Sequence, residues 1–260
     1  MVSAPKNLFK QRLLAGEVLS GIWFSSASPV LAEHISLLGF DWMLIDTEHS
    51  PLDVAMVQPL LQAAAGGVTP PVVRPAWNDK VLIKRMLDMG ALTLLIPFVE
   101  TADEAEAAVA ATRYPPKGIR GVAGATRASR YGQASDYFAV ADQEICVLVQ
   151  IETAAALARI DEIASVPGVD GVFIGPSDLA ASMGLLGKPG APEVQEALKS
   201  AVERLKAIGK PAGILATTIP DASRYLGWGY SFVAGGTDLG LLAGAGKALL
   251  GAMREATPAK

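Results

Sequence analysis

One cysteine and two histidines in 260 residues exclude several chemistries at once. Cys146 stands alone inside the apolar run Ile145-Cys146-Val147-Leu148-Val149, so no intrachain disulfide and no thiolate metal cluster can form. A small buried hydrophobe is its expected role. No stretch of about 18 uncharged apolar residues offers a membrane span. Residues 1–20 carry Lys6, Lys10, Arg12 and Glu17 and contain no apolar core of a signal peptide. Basic blocks are missing too: 22 Lys and Arg against 26 Asp and Glu leave a net charge of −4, with no cationic stripe to suggest a nucleic-acid partner. A soluble, cytoplasmic protein is the expectation. Lysine is also absent where imine chemistry would need it. The eleven lysines, at 6, 10, 80, 84, 117, 188, 199, 206, 210, 247 and 260, lie in helical patterns, loops or the termini, and none ends an apolar strand. A Schiff-base nucleophile is thereby disfavoured, which leaves electrophilic activation to a metal.

What is present is a chain 51% apolar, of a length typical of a single α/β barrel. Eight short apolar runs, near residues 20–24, 42–46, 71–74, 93–97, 146–151, 170–175, 212–215 and 231–235, alternate with helical patterns. The clearest of these cover 29–38, 53–65, 79–89, 102–112, 153–165, 192–208, 220–226 and 238–255. Strands that are apolar throughout are buried on both faces and therefore parallel. The pattern predicts an α/β protein, a (β/α)8 TIM barrel, in one domain over 1–260; an open doubly wound sheet is the alternative. The irregular stretch 113–143, with Arg113, Arg120, Arg127 and Arg130, is long enough to be functional or an interface element rather than a solvated loop. The Ala-, Gly- and Leu-rich C-terminal helix suits close packing on its own barrel or on a neighbour.

Four strand ends carry polar residues: Asp46-Thr47-Glu48-His49 after Trp42-Met43-Leu44-Ile45, Arg74 after Val72-Val73, Gln150-Ile151-Glu152 after Leu148-Val149, and Gly175-Pro176-Ser177-Asp178 after Val172-Phe173-Ile174. In a parallel barrel these ends converge on the face that holds the chemistry. Glu152 and Asp178 follow adjacent strands. Two carboxylates there repel unless a cation holds them, and such a pair with room for water suits Mg²⁺ or Mn²⁺. The alternative is helix capping by Asp178 and a first-turn place for Glu152. Arg74 can hold an oxyanion beside the metal, or form a structural salt bridge to Glu48 or Asp46. His49 suits proton transfer, with Asp46 placed to orient it; a structural histidine is the alternative. His34 falls mid-helix, a surface or packing residue.

The motifs Gly21-Ile22-Trp23, Phe40-Asp41-Trp42 through His49, Pro71-Val72-Val73-Arg74, Arg113-Tyr114-Pro115-Pro116-Lys117-Gly118-Ile119-Arg120-Gly121, Gln150-Ile151-Glu152-Thr153 and Gly175-Pro176-Ser177-Asp178-Leu179 span nearly the whole chain. Together they resemble the HpcH/HpaI aldolases, metal-dependent pyruvate aldolases of the citrate lyase β superfamily. The resemblance implies a divalent metal (Mg²⁺, Mn²⁺ or Co²⁺) on Glu152 and Asp178, and Arg74 at the pyruvate keto or enolate oxygen. It implies acid–base work by His49 with Asp46, a lining role for Gln150, and Ser177 with Asp178 at the pyruvate carboxylate. It further implies trimers or hexamers with the eighth helix swapped, and Asp88 reaching a neighbour's site. The implied reaction is reversible cleavage of 4-hydroxy-2-oxo acids to pyruvate and an aldehyde; Trp23, Leu215, Ala216 and the arginine-bearing loop are expected on the aldehyde side. A CoA-thioester lyase of the same superfamily is the near rival. A phosphosugar isomerase or epimerase, suggested by Gly235-Gly236, is the distant one, and a non-catalytic scaffold the third.

Overall fold

Strand by strand, alternate side chains go to two different cores. A computed structural model describes residues 2–256; Met1 and residues 257–260, part of the expected 1–260 domain, lie outside the described residues. The strands β1 (Leu19–Phe24), β2 (Trp42–Asp46), β3 (Pro71–Arg74), β4 (Thr93–Ile96), β5 (Cys146–Ile151), β6 (Gly171–Ile174), β7 (Ala212–Leu215) and β8 (Phe232–Thr237) form a closed parallel barrel in chain order. β5 shows the rule: Cys146 and Leu148 join Trp23, Trp42, Phe173 and Phe232 in one cluster, whereas Val147, Val149 and Ile151 join the larger cluster under the helices. The first cluster fills the barrel and the second seals its outside, so the barrel is a packed core and not a pore.

The expected helices are present, with three departures. The segment expected as one helix over 153–165 breaks at Arg159 into Ala154–Ala158 and Ile160–Ser165. The stretch 113–143 is not irregular throughout; it contains a single 3-10 turn, Arg127–Ser129, and the start of a helix, Tyr137–Glu144. An N-terminal helix, Leu8–Leu14, brings Phe9 and Leu13 under the barrel, where Phe9 packs edge-on against Trp42 and Phe232. At seven residues it is too short for a helical period to show in sequence. In the final helix, Asp238–Glu255, only Asp238 is buried and the rest stands exposed. Among the described residues no helix is long and apolar enough to cross a membrane.

Candidate active site

The register of β2 on β3 places Asp46 beside Arg74, and that of β5 on β6 sets Gln150 beside Phe173, with Glu152 and Gly175 just beyond the two strand ends. The strand ends open into a cavity of about 260 Å³ lined by Trp23, Asp46, His49, Arg74, Gln150, Glu152, Ser177 and Asp178, together with Leu215 and Thr237. No lysine lines it.

Arg74 is the hub. Its side chain is only 5% exposed and lies 4.7 Å above the Trp23 ring. Nε and Nη2 donate to the two oxygens of Asp46 at 2.9 and 2.7 Å, the forked geometry that a guanidinium favours. Trp23 Nε1 donates to Asp46 as well, at 3.1 Å. Burial pushes Asp46 up, but the bonds and charge of Arg74, with help from Trp23 and the Glu48 amide, outweigh it and hold Asp46 below the usual carboxylate range. Nη1 reaches 3.5 Å from Gln150 Oε1 and 2.8 Å from Glu48 Oε2. The latter approach is off the line of a hydrogen bond, so this buried oxygen has no hydrogen-bond partner among the described residues. The salt bridges expected as the structural alternative for Arg74 therefore both form, and they hold it in the cavity wall.

Glu152 is 1% exposed. It accepts from the amide of Phe98 at 3.1 Å and from Gln150 Nε2, and it forms no ion pair among the described residues. Burial first, then the nearby Glu48 and Asp178, raise its pKa to about 7 against the help of the Phe98 amide and Arg74. Glu48 is likewise raised, by burial and then by Asp46 and Asp178, with Arg74 and His49 opposing. A Cβ on Gly175 would come 2.7 Å from Glu152 Oε1, so glycine there makes room for the carboxylate. Neither alternative is realised. The helix after β6 runs Pro176–Ser182 from a Gly175 cap, with Asp178 inside its first turn rather than at the cap, and Glu152 precedes the Thr153 cap of the helix after β5 rather than sitting in its first turn. The amides of Ser177 and Asp178 open that helix without intrahelical partners, a natural anion seat.

The expected residues do not all converge as read. His49 stands at the rim with 61% of its side chain exposed. Asp46 meets only its backbone amide, at 3.4 Å; the imidazole faces Glu48, with Nε2 at 3.8 Å from Oε1. Glu48 is thus the residue that the sequence reading passed over as a site member, although it sits between Asp46 and His49 at a strand end. Ala216 is corrected: it is buried in the outer cluster, its amide bound to Ala234, and Leu215 lines the cavity instead. One residue of parity separates inward from outward on a strand. Asp88 ends the helix Lys80–Asp88, away from this chain's cavity, and pairs at 2.8 Å with Arg120, which lies 4.5 Å over the Tyr114 ring. His34 is exposed on its helix, as expected.

A divalent cation fits this donor set. Among the described residues no group of three or more His, Cys, Asp or Glu is disposed to cage a metal. Glu152 and Asp178 both line the open cavity without caging it, and one or two carboxylates with room left for water is a set that Mg²⁺ accepts.

Comparison with known proteins identifies the family. The sequence model of the HpcH/HpaI aldolase/citrate lyase family matches residues 19–245. The chain is 55% identical over 245 residues to a pyruvate aldolase of Rhizobium etli, covering 94% of this chain and 96% of that one. It is 51% identical over 235 residues to a 5-keto-4-deoxy-D-glucarate aldolase of Salmonella arizonae, covering 90% and 92%. The crystal structure of an HpcH/HpaI aldolase/citrate lyase family protein from Burkholderia cenocepacia superposes with a TM-score of 0.94 at 39% identity, covering 96% of this chain and all of that one. A citrate lyase β subunit of M. tuberculosis, complexed with oxaloacetate and magnesium, shares the fold alone at 16% identity and a TM-score of 0.55, over 86% and 93% of the two chains. The isomerase and scaffold alternatives fall away: the chain belongs to the HpcH/HpaI aldolase/citrate lyase family and is an aldolase, a carbon–carbon lyase.

Proposed function

We propose that this aldolase reversibly splits a 4-hydroxy-2-oxo acid into pyruvate and an aldehyde, with a divalent cation (Mg²⁺, Mn²⁺ or Co²⁺) held by Glu152 and Asp178. The observation that carries this reading is the buried Glu152, pushed to about 7 beside Glu48 and Asp178 with no ion pair of its own. The names of the pyruvate and 5-keto-4-deoxy-D-glucarate aldolases support the substrate class. When bound, the cation supplies Lewis acidity at the 2-oxo group and so favours negative charge at C3.

The chain's own residues do the rest. Ser177 and Asp178 amides seat the substrate carboxylate. Arg74, aligned by Asp46, directs its free edge at the 2-oxo oxygen as charge gathers there. Gln150, bonded to Glu152, fixes that wall. In cleavage His49, at the rim beside Glu48, takes the 4-hydroxyl proton as the C3–C4 bond breaks, the aldehyde forms and the electron pair passes toward C3 and the 2-oxo oxygen. His49 then returns that proton to C3, and in the addition direction the transfers run in reverse. Trp23 and Leu215 bound the aldehyde side.

Activity in EDTA tests the proposal: cleavage should vanish and return with Mn²⁺ or Mg²⁺. Glu152→Gln should lose Mn²⁺ binding by calorimetry while the circular dichroism spectrum stays native. Full turnover in chelated protein would sink the reading.

The same proposal includes a trimer-based homo-oligomer, trimer or hexamer, in which the final helix crosses to a neighbouring barrel and Asp88 serves a neighbour's cavity. Leu241, Leu242 and Leu249 on that helix are 54%, 68% and 64% exposed, more apolar surface than water tolerates cheaply. Light scattering that finds only monomer at micromolar concentration refutes the assembly. A cytoplasmic location completes the proposal, and cell fractionation checks it.

A further inference from the structure

Thr69, Arg127 and Arg130 meet at the end of the barrel opposite the catalytic cavity. A second cavity of about 260 Å³ opens there, between the segments that enter β3 and β4, residues 5–8, and the turn Arg127–Ser129. Leu61, Val68 and Leu92 give it an apolar side. Three cations, Lys6, Arg127 and Arg130, line it, and no Asp or Glu does. Lys6 is paired with Glu144 at 2.7 Å, but neither arginine forms an ion pair among the described residues. In a chain of net charge −4 the two arginines bring positive charge that no acidic residue lining the cavity balances.

Part of it has a structural use. Arg127 donates from Nη1 to the Met89 carbonyl at 2.9 Å and from Nη2 to the Leu61 carbonyl at 3.1 Å, bracing the ends of two helices. That brace consumes donors without neutralising charge. Burial holds the guanidinium below the usual arginine range, with Tyr131 opposing and Arg130 adding to the effect. The brace also leaves two features unexplained. Thr69 is 2% exposed, lines the cavity, and its hydroxyl has no hydrogen-bond partner among the described residues. Arg130 and Tyr131 sit at φ 54° and 58°, left-handed backbone that non-glycine residues adopt at a cost. An orphan hydroxyl, an unpaired arginine on strained backbone and an apolar wall together describe a seat for an amphiphilic anion.

We propose that this cavity is a second, non-catalytic site for a small organic anion, whose phosphate or carboxylate meets Arg130, Lys6 and the Thr69 hydroxyl and whose apolar body rests on Leu61, Val68 and Leu92. Anions recognised by guanidinium and hydroxyl donors in a partly apolar pocket bind through charge-assisted hydrogen bonds, and a dianion gains more of these than a monoanion.

Calorimetric titration of the full-length chain in EDTA, with phenyl phosphate and separately with benzoate, tests this. One site per chain is expected, with phenyl phosphate the tighter ligand; benzoate alone binding would reassign the site to carboxylates within the same class. Arg130→Gln and Thr69→Val should each weaken binding about tenfold, the usual effect of losing one such bond, while cleavage activity stays at the wild-type level. If Arg130→Gln fails to fold, Lys6→Gln carries the same expectation, since that side chain is 60% exposed. Ser177→Glu, which places a negative charge in the exposed catalytic mouth, should leave phenyl phosphate binding unchanged. The proposal is overturned if Arg130→Gln combined with Thr69→Val keeps wild-type affinity, if Ser177→Glu abolishes binding, or if neither probe binds at millimolar concentration.

Discussion

At the floor of the barrel, Asn7 Nδ2 is shared among the Leu92 carbonyl at 3.1 Å, Thr93 Oγ1 at 2.9 Å and the Glu144 carbonyl at 2.8 Å, and its oxygen accepts from the Lys10 amide at 2.9 Å. Phe9 and Leu13 close the space above it. Above the axis, the polar groups are just as buried but badly matched: Glu48 and Glu152 carry raised pKa values and a Glu48 oxygen lacks a hydrogen-bond partner. The same eight strands thus end in a floor whose polar groups are paired around Asn7 and a mouth whose carboxylates are not. Around Asn7 the floor follows the rule that buried polar groups are paired, with the Thr69 hydroxyl its exception among the described residues. The mouth departs from it where chemistry needs charge without compensation.

Two substitutions sharpen this contrast. His49→Ala should slow exchange of pyruvate methyl protons with deuterium by roughly 10²–10⁴-fold, the range of a general acid–base group. Its effect on stability should be within about 0.5 kcal/mol, because the side chain is exposed. Exchange at the wild-type rate would remove His49 from that step. Phe9→Ala should do the reverse: a loss of about 3–5 kcal/mol from the emptied floor, with kcat unchanged below the melting transition. If Phe9→Ala lowered kcat with the protein still folded, the two ends would not be separable.

A smaller effect concerns pH. Glu152 moves from 4.5 to about 7 on folding, so between those values the folded chain keeps a proton that the unfolded chain has released. The Glu152 contribution to stability in EDTA should therefore fall as pH rises through this window and be lost above about 7. Asp46, lowered on folding, acts oppositely, and its contribution is lost as pH falls below the usual carboxylate range. Melting temperatures from pH 5 to 8 should show the decline, Glu152→Gln should flatten it, and Mn²⁺ should raise Tm more at pH 8 than at pH 5. An identical slope in Glu152→Gln would exclude Glu152 as its source.

Much of the mouth was legible from residue order. Arg74 and Asp178 could be placed because an apolar run followed by a polar residue locates a strand end without knowledge of the fold. Trp23 and Gln150 lie on the inward parity of their strands for the same reason. Ala216 failed because it lies one residue beyond β7, where only the closed barrel shows that Leu215 turns inward. The split at Arg159 and the helix Leu8–Leu14 were too short or too weakly periodic to show.

Local periodicity, then, determined the barrel, the identity of its strands and the polar residues at their ends, because burial on two faces and the length of each βα unit are properties of neighbouring residues. Tertiary structure alone decided which of those polar groups meet. Arg74 takes Asp46 from 28 positions away and Gln150 from 76, and the Phe98 amide finds Glu152 across 54. Such pairings depend on barrel closure and register, which bring distant strand ends within hydrogen-bond reach. They turned the imidazole of His49 toward Glu48 and left Glu152 uncompensated.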